Sequence, residues 1–92
     1  MKKPLFDLGH IVSTPGALDA FEQASQHPVE FLERHVTGDW GELDDHDVRE
    51  NNRGVREGFR ILSAYTLKTG VKIWIITEWD RSVTTFLLPE EY

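Results

Sequence analysis

Apolar residues recur along this chain with two different spacings, and the change between them divides the chain into a helical part and a strand part. Up to about residue 57 they lie three and four positions apart, which is the spacing of one side of a helix. From residue 59 onward apolar and polar residues alternate, as in strands that have one face in a core. The pattern predicts an α+β domain, in which about three short N-terminal helices pack on a C-terminal antiparallel sheet of three to four strands joined as a meander.

The first predicted helix begins at Pro15 with Thr14 as its N-cap, because proline is well accommodated in the first helical turn. The helix ends before Pro28, since the residue that precedes a proline is disfavoured in the helical conformation. The residues predicted to face inward from this helix are Leu18, Phe21 and Ala24.

Two further helices are expected before the strands begin. The second starts at Pro28 and stops at Gly38, and the third spans about 45–57, between Asp44 as its N-cap and Gly58 at its end. The predicted inward residues are Val29, Leu32 and Val36 in the second helix, and Val48, Asn52, Val55 and Phe59 along the third. So thin an apolar stripe indicates that the third helix packs at the edge of the domain.

Three strands are predicted at 59–67, 71–78 and 83–88, and residues 8–13 fit a short first strand. Gly70 suits the left-handed position of the first hairpin turn, and residues 79–82 form the second turn. One predicted face carries Ile61, Ser63, Tyr65, Val71, Ile73, Ile75, Thr77, Thr84, Phe86 and Leu88, and the other carries Leu62, Ala64, Trp74, Ile76, Val83 and Leu87. Three short helices shield only one such face, so the other is a candidate surface for a protein partner or a homodimer.

Composition adds limits on size and compartment. A chain of 92 residues with 39% hydrophobic and 28% charged content is expected to form one domain over residues 1–92. No run of about 20 apolar residues is present, so no membrane span is predicted, and Asp7 and His10 interrupt any signal-peptide pattern. The absence of cysteine fits a reducing cytoplasm, which is the expected location.

The net charge of −6 is unevenly distributed along the chain. Residues 1–50 hold 4 Lys/Arg against 11 Asp/Glu, whereas residues 51–92 hold 6 against 5. A field of that sign repels a phosphate backbone, so nucleic acid is disfavoured as a partner of the first half, and a basic or neutral protein is favoured. The sequence has no glycine-rich nucleotide loop, and no cofactor is predicted.

Four segments carry a resemblance to a known family: "GHIVSTPGALDA", "RHVTGDWGELD", "GFRILSAYTL" and "WIITEWDRSVTTFLLPEEY". Through them the chain resembles small uncharacterised bacterial proteins associated with plasmids and integrative elements, which are labelled plasmid-related. Trp79 departs from the family pattern, which has a small residue there. The resemblance implies an accessory protein of a mobile element and brings no named activity. Some members carry a methyltransferase label, but this chain lacks an Asn-Pro-Pro-aromatic motif.

The second hairpin turn concentrates residues that are capable of chemistry. Glu78 or Asp80 suits a general base and Arg81 an anion clamp, yet Asp80 and Ser82 equally suit hydrogen bonds that hold a turn. The candidate binding residues of the chain are Trp79, Asp80, Arg81, Trp40, Arg49 and Arg53. Trp40 is either a core anchor or an exposed binding aromatic. The arginines 49, 53, 56 and 60 form either a solvated row or a site that binds phosphate or an acidic partner.

The acidic segment 39–47, with His35 and His46, matches neither a zinc nor a calcium motif, so no metal site is predicted. The function favoured by the sequence is a non-enzymatic interaction protein of a mobile element. One alternative is a small ribonuclease-like toxin, with Arg81 and Arg60 on phosphate and Glu78, Tyr65 or a histidine as acid or base. A second alternative is an acidic decoy that mimics DNA.

Overall fold

The computed structural model describes residues 2–92, and residue 1 of the predicted domain lies outside this range. In chain order its elements are β1 (His10–Ser13), α1 (Pro15–Ala24), α2 (Pro28–Val36), α3 (Asp45–Glu57), β2 (Ile61–Thr66), β3 (Lys72–Thr77) and β4 (Val83–Leu87), followed by a short 3-10 helix (Pro89–Glu91). The predicted α+β class is confirmed. Within residues 2–92, none of the helices has the length and apolar character that a membrane crossing requires.

The helix ends follow the capping residues of the sequence. Thr14 Oγ1 accepts a hydrogen bond from the Ala17 amide at 3.1 Å, and Asp44 Oδ1 accepts one from the Asp47 amide at 2.8 Å. Each bond satisfies an amide that the first turn of a helix leaves without a partner. Gly58, with a φ of 78°, ends α3 in the left-handed conformation that glycine adopts at low cost.

The buried sides of α1 and α2 match the predicted ones in part, since Phe21 and Ala24 are buried and Leu32 packs against the core as expected. Leu18 and Val29, which were expected to face inward, are 54% and 47% exposed. α1 instead buries positions i, i+3, i+4 and i+7, and its small alanines allow close approach to the sheet. These residues are Ala17, Ala20, Phe21 and Ala24. α2 buries Phe31 and His35, which are one turn apart.

α3 lies at the edge of the sheet, as its thin apolar stripe predicts. Its buried residues are Asn51 and Gly54, so the buried asparagine is the neighbour of the expected Asn52. The Asn51 side chain forms hydrogen bonds with the backbone at the outer edge of β2, as a neighbouring strand would. Its Nδ2 donates to the Leu62 carbonyl at 2.6 Å, and its Oδ1 accepts from the Leu62 amide at 3.1 Å.

The sheet is mixed, with the strand order β1-β4-β3-β2, so the prediction of a purely antiparallel sheet is wrong. β2, β3 and β4 form the expected meander, but β1 lies parallel to β4, with His10 opposite Val83 and Ser13 opposite Phe86. This pairing joins residues 73 positions apart in the chain, and local alternation gives no signal for such a distant partner.

The two faces of the sheet carry the predicted residues. The inner face, which packs against α1 and α2, is buried and consists of Ile61, Ser63, Tyr65, Ile73, Ile75, Thr77, Thr84 and Phe86. The outer face carries Leu62, Ala64, Trp74, Ile76, Val83, Thr85 and Leu87. On the outer face the ring of Tyr92 lies edge-on to Trp74, with the ring centroids 5.7 Å apart. Tyr92 thus covers part of the outer face, on which Ile76 and Leu87 are buried.

Candidate functional site at the turn end of the sheet

The turn between β3 and β4 is held by its own polar side chains. The Glu78 amide donates to the Val83 carbonyl at 3.0 Å, which closes the turn. The Asp80 carboxylate accepts from the amide of Ser82 at 3.1 Å and from its hydroxyl at 2.6 Å. Hydrogen bonds to the charged form lower the pKa of Asp80 below its ordinary value. Asp80 and Ser82 therefore contribute to the construction of the turn.

Arg81 ties this turn to the end of α3. Its Nη1 donates to the Phe59 carbonyl at 2.7 Å and to the Glu78 carbonyl at 3.2 Å, and its Nη2 donates to the Gly54 carbonyl at 2.9 Å. Its Cζ lies 5.3 Å from the centroid of the Phe6 ring. The backbone of Arg81 has a φ of 61°, a conformation that is uncommon outside glycine. The planar guanidinium thus joins three chain segments, and much of its hydrogen-bonding capacity is used within the protein.

Two exposed aromatic residues lie at this end of the sheet. The β2–β3 ladder ends with Ile61 opposite Thr77; Phe59 lies two residues before this pair, and Trp79 lies two residues after it, in the turn. Phe59 is 43% exposed and Trp79 is 67% exposed. The expectation that Phe59 faces inward from α3 is wrong, because α3 ends before it at Gly58. We call Phe59, Trp79 and the turn 78–82 the turn end.

Positive charge flanks the aromatic pair. The guanidinium carbon of Arg53 lies 5.2 Å from the centroid of the Phe59 ring, within the range of a cation–π contact. Arg53 Nε also pairs with Glu57 Oε2 at 2.7 Å on the exposed side of α3. Arg49 lies one turn earlier on the same helix and is exposed. The predicted residues Trp79, Asp80, Arg81 and Arg53 therefore meet at the turn end, with Arg49 along the adjoining helix.

Trp40 lies behind this end in the interior, in the manner of a core anchor. It is 4% exposed, and its ring stacks on Phe6 with the centroids 6.2 Å apart. Its Nε1 donates to Asn52 Oδ1 at 3.2 Å, which connects the segment before α3 to the helix itself. Since Phe6 contacts both Trp40 and the Arg81 guanidinium, Trp40 supports the turn end from within.

The acidic residues of the segment before α3 have separate structural roles. Asp39 pairs with Arg34 at 2.7 Å, and this hydrogen bond is the main reason that the pKa of Asp39 is lowered. Glu42 Oε2 accepts from Thr66 Oγ1 at 2.5 Å, and Asp44 caps α3. Among residues 2–92, histidine and carboxylate side chains form no cluster of three or more that is suited to a metal ion.

A chain of polar side chains is sealed between α2 and the inner face. His35 Nδ1 lies 2.5 Å from Ser63 Oγ, and His35 Nε2 lies 2.9 Å from Thr77 Oγ1. Thr77 Oγ1 lies 2.7 Å from Thr84 Oγ1, which in turn donates to the Leu8 carbonyl at 2.7 Å. All four of these side chains are 0% exposed. The polar chain thus connects α2, three strands and the segment before β1.

The direction of each hydrogen bond along the polar chain follows from the Leu8 carbonyl at its end. The Leu8 carbonyl can only accept, so the Thr84 hydroxyl donates to it and accepts from Thr77. Thr77 must then accept from the Nε2–H of His35, so Nε2 carries a proton. In a neutral imidazole Nδ1 is an acceptor, and the Ser63 hydroxyl donates to it.

The electrostatics of this site agree with a neutral histidine. Burial, with a smaller contribution from the positive charge of Arg81, lowers the pKa of His35 to about 3. A serine hydroxyl beside a histidine is the arrangement of nucleophilic catalysis, but Ser63 and His35 are both 0% exposed. The Phe6 ring packs edge-on against His35, with centroids 5.3 Å apart. The contact between His35 and Ser63 therefore supports the fold, and neither side chain is accessible to a substrate.

Sequence reasoning missed two features of this region. It grouped His35 with possible metal ligands, although its alternation correctly placed Ser63, Thr77 and Thr84 together on the inner face. It also missed that Phe59 is exposed at the same end of the sheet as Trp79, which the position of Phe59 just before β2 would have indicated. No protein-family model, no curated protein and no solved structure matches this chain.

Proposed function

We propose that this chain is a non-enzymatic interaction protein, whose turn end binds an acidic segment of a partner protein. The observation that carries the proposal is that two exposed aromatic side chains, Phe59 and Trp79, lie at the same end of the sheet, with Arg53 against the Phe59 ring. Large aromatic residues and arginine are enriched at the energetic centres of protein interfaces. Large aromatic side chains exposed close together on a protein surface commonly mark a site that a partner covers.

The charge around the aromatic pair favours an acidic partner. Residues 48–60 and 78–82 hold five Lys/Arg against four Asp/Glu, although the whole chain has a net charge of −6. The acidic first half suits a basic partner, as the sequence suggests, whereas α3 and the turn end together have a small excess of basic side chains. Complementary charge speeds association and selects against wrong partners. The expected ligand is a segment that combines carboxylates with an apolar or aromatic residue.

The rigidity of the turn end also supports a binding role. Arg81 bonds carbonyls on three segments, and the Asp80 carboxylate holds the Ser82 amide. A surface that is already fixed loses less conformational entropy when a ligand binds. The resemblance to plasmid-associated proteins suggests that the partner is encoded on the same mobile element.

The catalytic alternative gains no support from the geometry. Three hydrogen bonds to backbone carbonyls engage the Arg81 guanidinium, which that hypothesis assigned to phosphate. The Tyr65 hydroxyl donates to the Asp39 carbonyl at 2.7 Å, and burial raises the pKa of Tyr65 to about 12. The decoy alternative is not favoured either, since Asp39 is paired with Arg34 and Asp44 caps a helix.

Selection from a display library of random peptides tests the proposal. Peptides selected on the immobilised protein are expected to be acidic and to carry an apolar residue. A synthetic peptide from the selection should then lose at least about tenfold in affinity, or about 1.4 kcal/mol, with Phe59→Ala or Trp79→Ala. Fluorescence anisotropy measures the affinity, which should fall at high salt.

Matched controls are available elsewhere on the surface. Leu18→Ala and Val71→Ala remove exposed apolar side chains away from the turn end and should leave the affinity unchanged. Selected peptides that bind equally well to Phe59→Ala and Trp79→Ala proteins would contradict the proposal. Tighter binding of single-stranded oligothymidylate through the same two residues would also contradict it, since stacking on nucleic acid bases uses similar side chains.

A further inference from the structure

The two edges of the sheet differ in what lies against them. The outer edge of β2 is occupied along its length. Asn51 bonds both backbone groups of Leu62, while the Ala64 amide donates to the Trp40 carbonyl at 3.0 Å and the Ala64 carbonyl accepts from the Glu42 amide at 2.7 Å. Such cover prevents an edge from pairing with another chain.

The edge at β1 is exposed. The His10 amide donates to the Ser82 carbonyl, and the Thr14 amide donates to the Phe86 carbonyl, each at 3.0 Å. Because alternate residues of a parallel strand bond the same neighbour, the amide and carbonyl of Ile11 point away from β4. The side chains of Ile11 and Val12, on opposite faces of the strand, are 50% and 46% exposed.

Apart from its short length of four residues, β1 has none of the side-chain features that protect an exposed edge. Lysine, proline or an inward-pointing charge commonly protects such strands, yet β1 reads HIVS. Residues 8–18 contain no Asp, Glu, Lys or Arg, and no other stretch of the chain is as long without one. The exposed edge is therefore apolar and free of charge.

We propose that β1 pairs antiparallel with β1 of a second copy of this chain, about a twofold axis that passes between the two Ile11 residues. In this register the amide of each Ile11 donates to the carbonyl of the other, so both outward groups are satisfied by the same bond made twice. Two four-stranded sheets become one continuous sheet. Each copy covers the exposed Ile11 and Val12 of the other.

The absence of charged side chains makes this edge compatible with a second copy of the chain. Two chains that each carry −6 repel one another, and the repulsion is least where neither presents a charged side chain. The uncharged stretch 8–18 contains β1 and also the exposed Leu18 of the adjoining helix. The dimer expected from the sequence is thus assigned to the strand edge rather than to the outer face, independently of any role of the turn end.

Sedimentation equilibrium of the full chain over a range of concentrations tests the proposal. The wild-type protein is expected to form dimers. Ile11→Pro removes only an outward amide and adds a ring that blocks strand pairing, so this variant should be monomeric with an unchanged circular dichroism spectrum. Ile11→Lys, which keeps the backbone amide, should weaken the dimer at least about tenfold through charge repulsion and gives the answer if the proline variant fails to fold.

Two further variants distinguish the β1 edge from the rest of the sheet. Val12→Pro removes an amide that faces β4 and should destabilise the fold, whereas Trp74→Ala alters the outer face and should leave the dimer intact. A wild-type chain that stays monomeric at all concentrations would overturn the proposal. So would a folded Ile11→Lys protein as dimeric as wild type, or a dimer that Trp74→Ala abolishes and Ile11→Lys preserves.

Discussion

The Nε2 atom of His35 lies 2.9 Å from the hydroxyl oxygen of Thr77, at the centre of the polar chain that runs from Ser63 to the Leu8 carbonyl. Among residues 2–92, no buried side-chain nitrogen or oxygen lacks a hydrogen-bond partner. A fully satisfied buried network stabilises one arrangement of the elements that it joins, whereas a half-satisfied one is costly. His35 and Thr77 therefore fix the position of α2 over the sheet.

The neutral state of His35 predicts a specific dependence of stability on pH. The pKa of His35 is lowered to about 3 in the folded protein, and that of an unfolded histidine is about 6.5. Between these pH values the unfolded chain binds a proton that the folded protein does not, so the free energy of unfolding falls as the pH falls. We expect a slope of up to about 1.4 kcal/mol per pH unit below pH 6.5 in urea titrations.

Two histidine variants check this assignment. His35→Gln should be less stable at neutral pH and should lose most of the slope between about pH 6.5 and pH 4. His46→Gln removes an exposed histidine on α3 and should keep the slope of the wild type. Equal slopes for the wild type and His35→Gln would show that other groups dominate the acid sensitivity.

Removal of the Thr77 hydroxyl should be costly although the side chain changes little in volume. Thr77→Val leaves the Nε2–H of His35 without an acceptor and the Thr84 hydroxyl oxygen without a donor. Buried polar groups left unpaired cost about 1–3 kcal/mol each, so we expect a loss of about 2–3 kcal/mol in chemical denaturation. Thr66→Val, on the exposed end of β2, should cost less than about 1 kcal/mol. Similar losses for both variants would contradict a special role of the polar chain.

Asn51 and Asn52 form a matched pair on adjacent positions of α3. Asn51→Ala removes both partners of the Leu62 backbone groups, and we expect it to lower the free energy of unfolding by about 2–3 kcal/mol. Asn52→Ala removes one acceptor for Trp40 Nε1 on an exposed residue and should cost about 1 kcal/mol or less. Amide hydrogen exchange at Leu62 should accelerate in the first variant only. Unchanged exchange in Asn51→Ala would mean that another group closes this edge.

Much of the fold follows from local features of the sequence. Thr14, Asp44 and Gly58 set the ends of helices as expected, because capping depends on residues within one turn. Alternation placed Ser63 and Thr77 on the inner face, because strand neighbours point to opposite sides. Gly70 takes the left-handed position of its hairpin, with a φ of 89°.

What could not be predicted depends on contacts between distant parts of the chain. β1 pairs with β4 across 73 residues, and no property of the segment HIVS specifies that partner. Whether His35 meets a metal, solvent or a buried hydroxyl depends on where α2 docks, which a helical spacing alone leaves open. At the turn end, Trp79, Asp80 and Arg81 are neighbours in the sequence and could be grouped from it. The inward direction of the Arg81 side chain goes with the left-handed conformation of its backbone, which the sequence does not indicate.

Arg81 offers a test that separates its side chain from its backbone. Arg81→Lys replaces a planar fork, which donates to the carbonyls of Phe59, Glu78 and Gly54, with a single ammonium that cannot reach all three in the same geometry. We expect the free energy of unfolding to fall by about 1–3 kcal/mol, and the affinity for an acidic peptide to fall although Phe59 and Trp79 remain.

Arg81→Gly relieves the left-handed backbone at this position but removes the guanidinium. If the side chain holds the turn end, the glycine variant should be destabilised at least as much as the lysine variant, despite the relief of backbone strain. Arg49→Lys, on the exposed side of α3, serves as the control and should match the wild type in chemical denaturation. A glycine variant as stable as the wild type would mean that backbone conformation outweighs the three hydrogen bonds at this position.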